Sequence, residues 1–138
     1  SQKQINFINR STTGILKSGR LILGPYTELF ERRFANYIGT KYAVATNSCT
    51  SALEIALRFC DIKDKEVIVP TNTFVASANA VIFANGFPVL ADIDKESLCL
   101  DVDSLVKKIN NKTRAVIVVH IGGLPHPRSL LRRTRGRG

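Results

Sequence analysis

The chain has 138 residues, 44% hydrophobic and 22% charged, an ordinary globular mixture with enough apolar material for one domain core. Its net charge of +9 points to a polyanion partner until the charges are located: Arg128, Arg132, Arg133, Arg135 and Arg137 supply five of them from the last eleven residues, so the body is only mildly basic. The polar start SQKQINFINR lacks an apolar h-region, and no apolar run is long enough to span a bilayer, which argues against a membrane protein and for a cytoplasmic one.

In chain order, the first clear element is GPYTELFERRFANYIG, a helix with Pro25 near its first position and Gly39 just past its end. Leu29, Phe30, Phe34, Tyr37 and Ile38 make one apolar stripe on it, the mark of a packing face. From Tyr42 onward short β-rich runs alternate with helical patterns. YAVAT (42–46) precedes the helix SALEIALRFC, EVIVP (66–70) precedes FVASANAVIFAN, PVLADI (88–93) precedes DVDSLVKKI, and RAVIVVH (114–120) follows. This βαβαβαβ rhythm predicts an α/β fold with a mostly parallel sheet and helices on both faces. VIV and AVIVV are continuously apolar, as strands buried on both sides are. Asp101 or Asp103 can cap the last helix, and Lys107 and Lys108 suit its final turn.

The segment RSLLRRTRGRG differs in kind. Before it the basic residues are nine Lys and six Arg; within it every basic residue is Arg. A basic arm, a scar of cloning or a shifted reading frame would each produce such a switch, and the composition favours the last two. The division expected is therefore 1–127 as the folded portion and 128–138 as an Arg-rich tail, with no nucleic-acid partner expected.

In open parallel sheets ligands bind beyond the carboxyl ends of the strands. Those positions hold Asn47-Ser48-Cys49-Thr50-Ser51, then Thr71-Asn72-Thr73-Phe74, then Asp92-Ile93-Asp94, then His120-Ile121-Gly122-Gly123. The first cluster opens a helix, where N–H groups and hydroxyls can hold an anion. It also fits a capping box of Ser51 with Glu54, which needs no ligand. Phe74 can stack on a planar ring or sit in the core. Asp92 and Asp94 are either acid/base groups or turn caps, and His120 is either a ligand contact or a hydrogen-bonded structural residue. Cys49, Cys60 and Cys99 are odd in number with no metal-ligand spacing, so buried reduced thiols are expected and no metal site.

Three stretches, in order, carry a resemblance: SGRLILGPYTELFERRFANYIGTKYAVATNSCTSALEIAL, EVIVPTNTFVASANAVIFANGFPVLADID and KTRAVIVVHIGG. Together, from about Ser18 to Pro127, they resemble the N-terminal part of a pyridoxal-phosphate-dependent sugar aminotransferase of the DegT/DnrJ/StrS family. The resemblance implies an incomplete large domain of the aspartate-aminotransferase (fold type I) architecture and, in the intact family, a homodimer with active sites at the subunit interface. It implies that Ser48, Cys49 and Thr50 hold the phosphate of pyridoxal 5'-phosphate and that Phe74 stacks on the pyridine ring. Asn72, Thr73 and His120 would lie near cofactor or substrate, and Gly24-Pro25 would belong to a substrate-side loop. A small residue, often Gly, is usual in the family where this chain has Cys49.

The family's chemistry also needs a Schiff-base lysine and an acid beside the pyridine nitrogen. Both lie in later family motifs, so no residue of this chain is assigned as catalytic. The expectation is an N-terminal fragment of a nucleotide-sugar aminotransferase, moving an amino group from a donor such as glutamate to a keto-sugar, and inactive alone. Dehydratase relatives share these motifs. A truncated module that binds a phosphate, the cofactor or a partner without catalysis is the alternative.

Overall fold

The computed structural model describes residues 1–125, so the expected tail at 128–138 lies outside the described residues. The chain divides into two compact units, Ser1–Thr46 and the part from Asn47 on.

The first unit begins with α1 (Gln2–Ser18), which the sequence reading did not anticipate. Ile5, Ile8, Ile15 and Leu16 share one face of it, but they are diluted among polar residues and α1 buries none of its side chains. The Ser1 amino group donates to Gln4 Oε1 at 2.7 Å, and Gly19, at φ 68°, closes the helix in the left-handed conformation that glycine adopts freely. The second helix, α2 (Pro25–Ile38), starts on Pro25 and ends at Gly39, φ 81°, both as read from the sequence. Its stripe is not a covered face in this chain: Phe30, Phe34, Tyr37 and Ile38 are exposed, Tyr37 at 85%, and only Ala35 of the helix is buried. Phe30 and Phe34 lie against each other with ring centroids 5.6 Å apart.

YAVAT does not form a strand. Every pairing in the sheet is made by three other segments, and residues 42–46 are held instead by the Ala45 N–H donating to Glu31 Oε1 at 2.8 Å. A β-rich composition makes a segment capable of pairing; a neighbour with free N–H and C=O groups makes it a strand.

The second unit holds α3 (Cys49–Phe59), β1 (Glu66–Pro70), α4 (Ala76–Phe83), β2 (Phe87–Ala91), α5 (Val102–Lys108) and β3 (Thr113–Val116). The sheet has the order β2-β1-β3, with both pairings parallel. Alternation along β1 decides the layers. Val67 and Val69 pack with Leu57 of α3 and Ala80 and Val81 of α4, while Ile68 packs with Leu100 and Leu105 on the α5 side. The helices therefore cover both faces, α3 and α4 on one and α5 on the other. Because both faces are covered, Val67, Ile68 and Val69 have no exposed surface, which is why VIV reads as a continuous apolar run.

The last strand is shorter than the run RAVIVVH. Ile117 still donates its N–H to Ile68 O at 2.8 Å, but the next rung of the ladder would need an N–H from Pro70, which has none. The alternation of faces nevertheless continues, with Ile117 and Val119 in the α3/α4 core and Val118 in the other.

Between α4 and β2, packing favours glycine at Gly86. A Cβ there would stand 2.6 Å from Ile62 Cδ1 and 3.2 Å from Ile62 O, and Ile62 is fully buried.

Candidate functional site

The helix α3 starts on Ser48, whose backbone is extended at φ −158° and ψ 157°. Its Oγ accepts from the Ser51 N–H at 3.1 Å and lies 3.0 Å from Ser51 Oγ, which in turn donates to Asn47 Oδ1 at 2.8 Å. The capping residue is thus Ser48 and not Ser51, and Glu54 is no partner in a box: it takes Arg58 at 2.8 Å. The helix prefers Ser48 because its hydroxyl reaches N3 from the extended position, which Ser51, already helical, cannot do. The N–H groups of Cys49 and Thr50, the first two of the helix, have no acceptor one turn back.

Beyond β1 the chain passes through Thr71–Phe74 into α4. Phe74 is 77% exposed, so a ring face is open to a ligand. Thr73 Oγ1 lies 2.8 Å from Ser77 Oγ, one turn on. Beyond β3, His120 stands at the head of a 3-10 turn (Ile121–Gly123) in which Gly122 and Gly123 take φ 61° and 81°, values that glycine reaches without strain.

These three segments meet. A cavity of about 480 Å³ is lined by Cys49, Thr50, Thr73, Phe74, Ser77 and His120, with Leu53 and the stretch 117–119 as apolar walls. It sits where the carboxyl ends of β1 and β3 face the start of α3, the place the topology favours for a ligand. No carboxylate lines it, so its polar inventory of helix N–H groups, hydroxyls and an imidazole favours an anionic ligand.

Other sequence candidates stand elsewhere. Asn72 turns to Leu98 O at 3.3 Å, and Ser48 is engaged as the cap. Gly24 and Pro25 line a separate cavity of about 170 Å³ inside the first unit, together with Arg20 and Tyr26. Asp94 is a turn cap, its Oδ1 accepting from the N–H and Oγ of Ser97, both at 2.8 Å. Those bonds hold its carboxyl below the usual carboxylate range. The backbone N–H of Asp92 donates to Ser104 Oγ at 2.9 Å. Of the cysteines only Cys99 is buried; Cys49 and Cys60 are exposed, contrary to the expectation of buried thiols. Ser77 is the residue that sequence reasoning missed. Its signal was a lone hydroxyl inside the apolar pattern FVASANAV, four residues after Thr73.

Comparison with known proteins settles what this arrangement belongs to. The profile of the DegT/DnrJ/EryC1/StrS aminotransferase family matches residues 2–133. This chain is a member of that family. Spore coat polysaccharide biosynthesis protein SpsC of Bacillus subtilis is 43% identical over 115 residues, covering 83% of this chain and 30% of SpsC. The L-glutamine:2-deoxy-scyllo-inosose aminotransferase of Streptomyces kanamyceticus is 43% identical over 115 residues, covering 78% of this chain and 27% of that enzyme. Among solved structures, NtdA from Bacillus subtilis with bound cofactor PMP superimposes with a TM-score of 0.88 at 31% identity, covering 96% of this chain and 31% of NtdA. The chain thus spans about 30% of the length of SpsC. Its parallel sheet with helices on both faces is part of the fold type I architecture of the DegT/DnrJ/EryC1/StrS aminotransferases. No helix among the described residues is long and apolar enough to cross a membrane.

Proposed function

We propose that this chain is the N-terminal part of a nucleotide-sugar aminotransferase and that the cavity at the carboxyl ends of β1 and β3 holds pyridoxal 5'-phosphate. The observation that carries the reading is the convergence of the α3 N-terminus, Phe74 and His120 on one cavity, in a chain of an aminotransferase family. The group fits the donors present. The N–H groups of Cys49 and Thr50 and the Thr50 hydroxyl would hold the phosphate, with Ser48 fixing the helix start that presents them. The Cys49 side chain is exposed and lines the same cavity. Phe74 would cover one face of the pyridine ring, and His120 would flank the ligand from the β3 side. When bound, the cofactor supplies the electron sink that lets an amino group pass from a donor such as glutamate to a keto-sugar.

A homodimer is proposed for the whole protein on the support of the uncovered stripe of α2, an apolar surface that association would bury. A cytoplasmic setting is proposed on the support of three cysteines without a disulfide, two of them exposed.

Pyridoxamine phosphate tests the site, because its binding requires no lysine. Fluorescence titration of the chain should show saturable binding that inorganic phosphate competes away. Replacement of Phe74 by Ala should weaken it about threefold to tenfold, the usual worth of an aromatic stack. Absence of saturable binding, or binding that inorganic phosphate leaves unchanged, would remove the cofactor from this reading.

A further inference from the structure

Ser77 is the one polar residue that is buried among the described residues, at 7% exposure, and it does so on the wall of the candidate cavity. A hydroxyl removed from water must keep its proton hydrogen-bonded, since an orphaned donor costs on the order of 1–3 kcal/mol. Among the described residues the single partner of Ser77 Oγ is Thr73 Oγ1, 2.8 Å away, and no buried side-chain polar atom among them lacks a partner. The backbone N–H of Ser77 is also engaged, donating to Phe74 O at 2.9 Å, so the side chain is anchored at the start of α4.

These facts assign a direction to the bond. Either hydroxyl can donate in this bond, but Thr73 is the one acceptor among the described residues for the buried Ser77 proton, which favours Ser77 as the donor and Thr73 as the acceptor. The proton of the half-buried Thr73 is then left for the cavity that Thr73 also lines. We propose that Ser77 is a positioning residue that holds Thr73 as a hydrogen-bond donor toward an acceptor oxygen of the ligand, beside the ring seat of Phe74. The inference rests on the cofactor reading above and adds the polarity of one contact. Had Thr73 donated to Ser77 instead, the buried Ser77 proton would have no acceptor, and the site would face its ligand with lone pairs that repel an anionic oxygen.

Pyridoxamine phosphate is again the probe, titrated by calorimetry into the 138-residue chain and its variants. Thr73→Val keeps the shape and deletes the donor, and should weaken binding about tenfold, the equivalent of about 1.4 kcal/mol. Thr73→Ser restores the hydroxyl and should bind within about twofold of the unsubstituted chain, which loss of packing alone would not produce. Ser77→Ala should weaken binding about threefold or more while the affinity for inorganic phosphate stays unchanged, because that anion needs only the α3 end. Equal affinity in Thr73→Val and the unsubstituted chain overturns the donor. An equal loss in Thr73→Ser and Thr73→Val overturns it too, since packing is then the cause. Failure of the unsubstituted chain to bind pyridoxamine phosphate overturns the cofactor reading itself, and the donor with it.

Discussion

At the scale of single residues, the carboxyl ends of the strands hold two kinds of polar side chain that look alike in sequence. Thr50 and His120 line the cavity, whereas Asp94 folds back on its own turn and binds Ser97. The difference has a pH signature. Backbone and side-chain hydrogen bonds from Ser97 lower the Asp94 pKa, so the carboxylate is the form the turn prefers. A depressed folded-state value contributes stability above the ordinary carboxylate range, and that contribution is lost as pH falls through the lowered value. Carbon-13 NMR of the Asp94 carboxyl should therefore show a midpoint below the ordinary aspartate value, and Ser97→Ala should bring it back up. A midpoint at or above the ordinary value would mean that the turn is open in solution.

At the scale of elements, α3 and the α4–β2 turn are set by different physics. Ser48 begins α3 through a hydrogen bond, and removing it by Ser48→Ala should cost about 1 kcal/mol of the second unit's stability. Gly86 sets its turn by exclusion. Its missing Cβ leaves room for Ile62, so Gly86→Ala should cost about 1–3 kcal/mol through overpacking. Gly14, in α1, has open space around it, and Gly14→Ala should be neutral or stabilising by up to about 1 kcal/mol. Urea denaturation of the three variants decides the point; equal midpoints for Gly86→Ala and Gly14→Ala would show that Ile62 yields without cost.

At the scale of the whole molecule, apolar surface remains uncovered. Phe30, Phe34, Tyr37 and Ile38 on α2 and Phe59 on α3 all stand exposed, Phe59 at 91%. Among the described residues the sheet has three strands, and its two edge strands offer backbone groups to which another chain could pair. The isolated chain is expected to associate in solution, and the double variant Phe34→Glu with Tyr37→Glu to shift it toward monomer. Sedimentation velocity reads this directly, and a monodisperse monomer of the unsubstituted chain would contradict it.

Much of both units was legible in the sequence because its signals are local. Runs such as EVIVP and the helical period of SALEIALRFC report how each residue is surrounded; Pro25 and Gly39 mark ends through backbone constraints, and Asp101 through its carboxylate accepting the Ser104 N–H, all within one turn. The ordered motifs likewise sufficed for the family, since hydroxyls before a helix and an aromatic after a strand need no neighbours to be read. What the tertiary structure alone decided depends on partners far apart in the chain. YAVAT forms no strand among the described residues, and RAVIVVH stops early because Pro70 has no N–H to offer. Asn72 turns to Leu98 while Thr73 faces the cavity, and Ser77, unremarkable as a letter, becomes a buried hydroxyl with one place to send its proton. Such roles follow from which groups meet and which are shut away from water, and only the packed chain sets either.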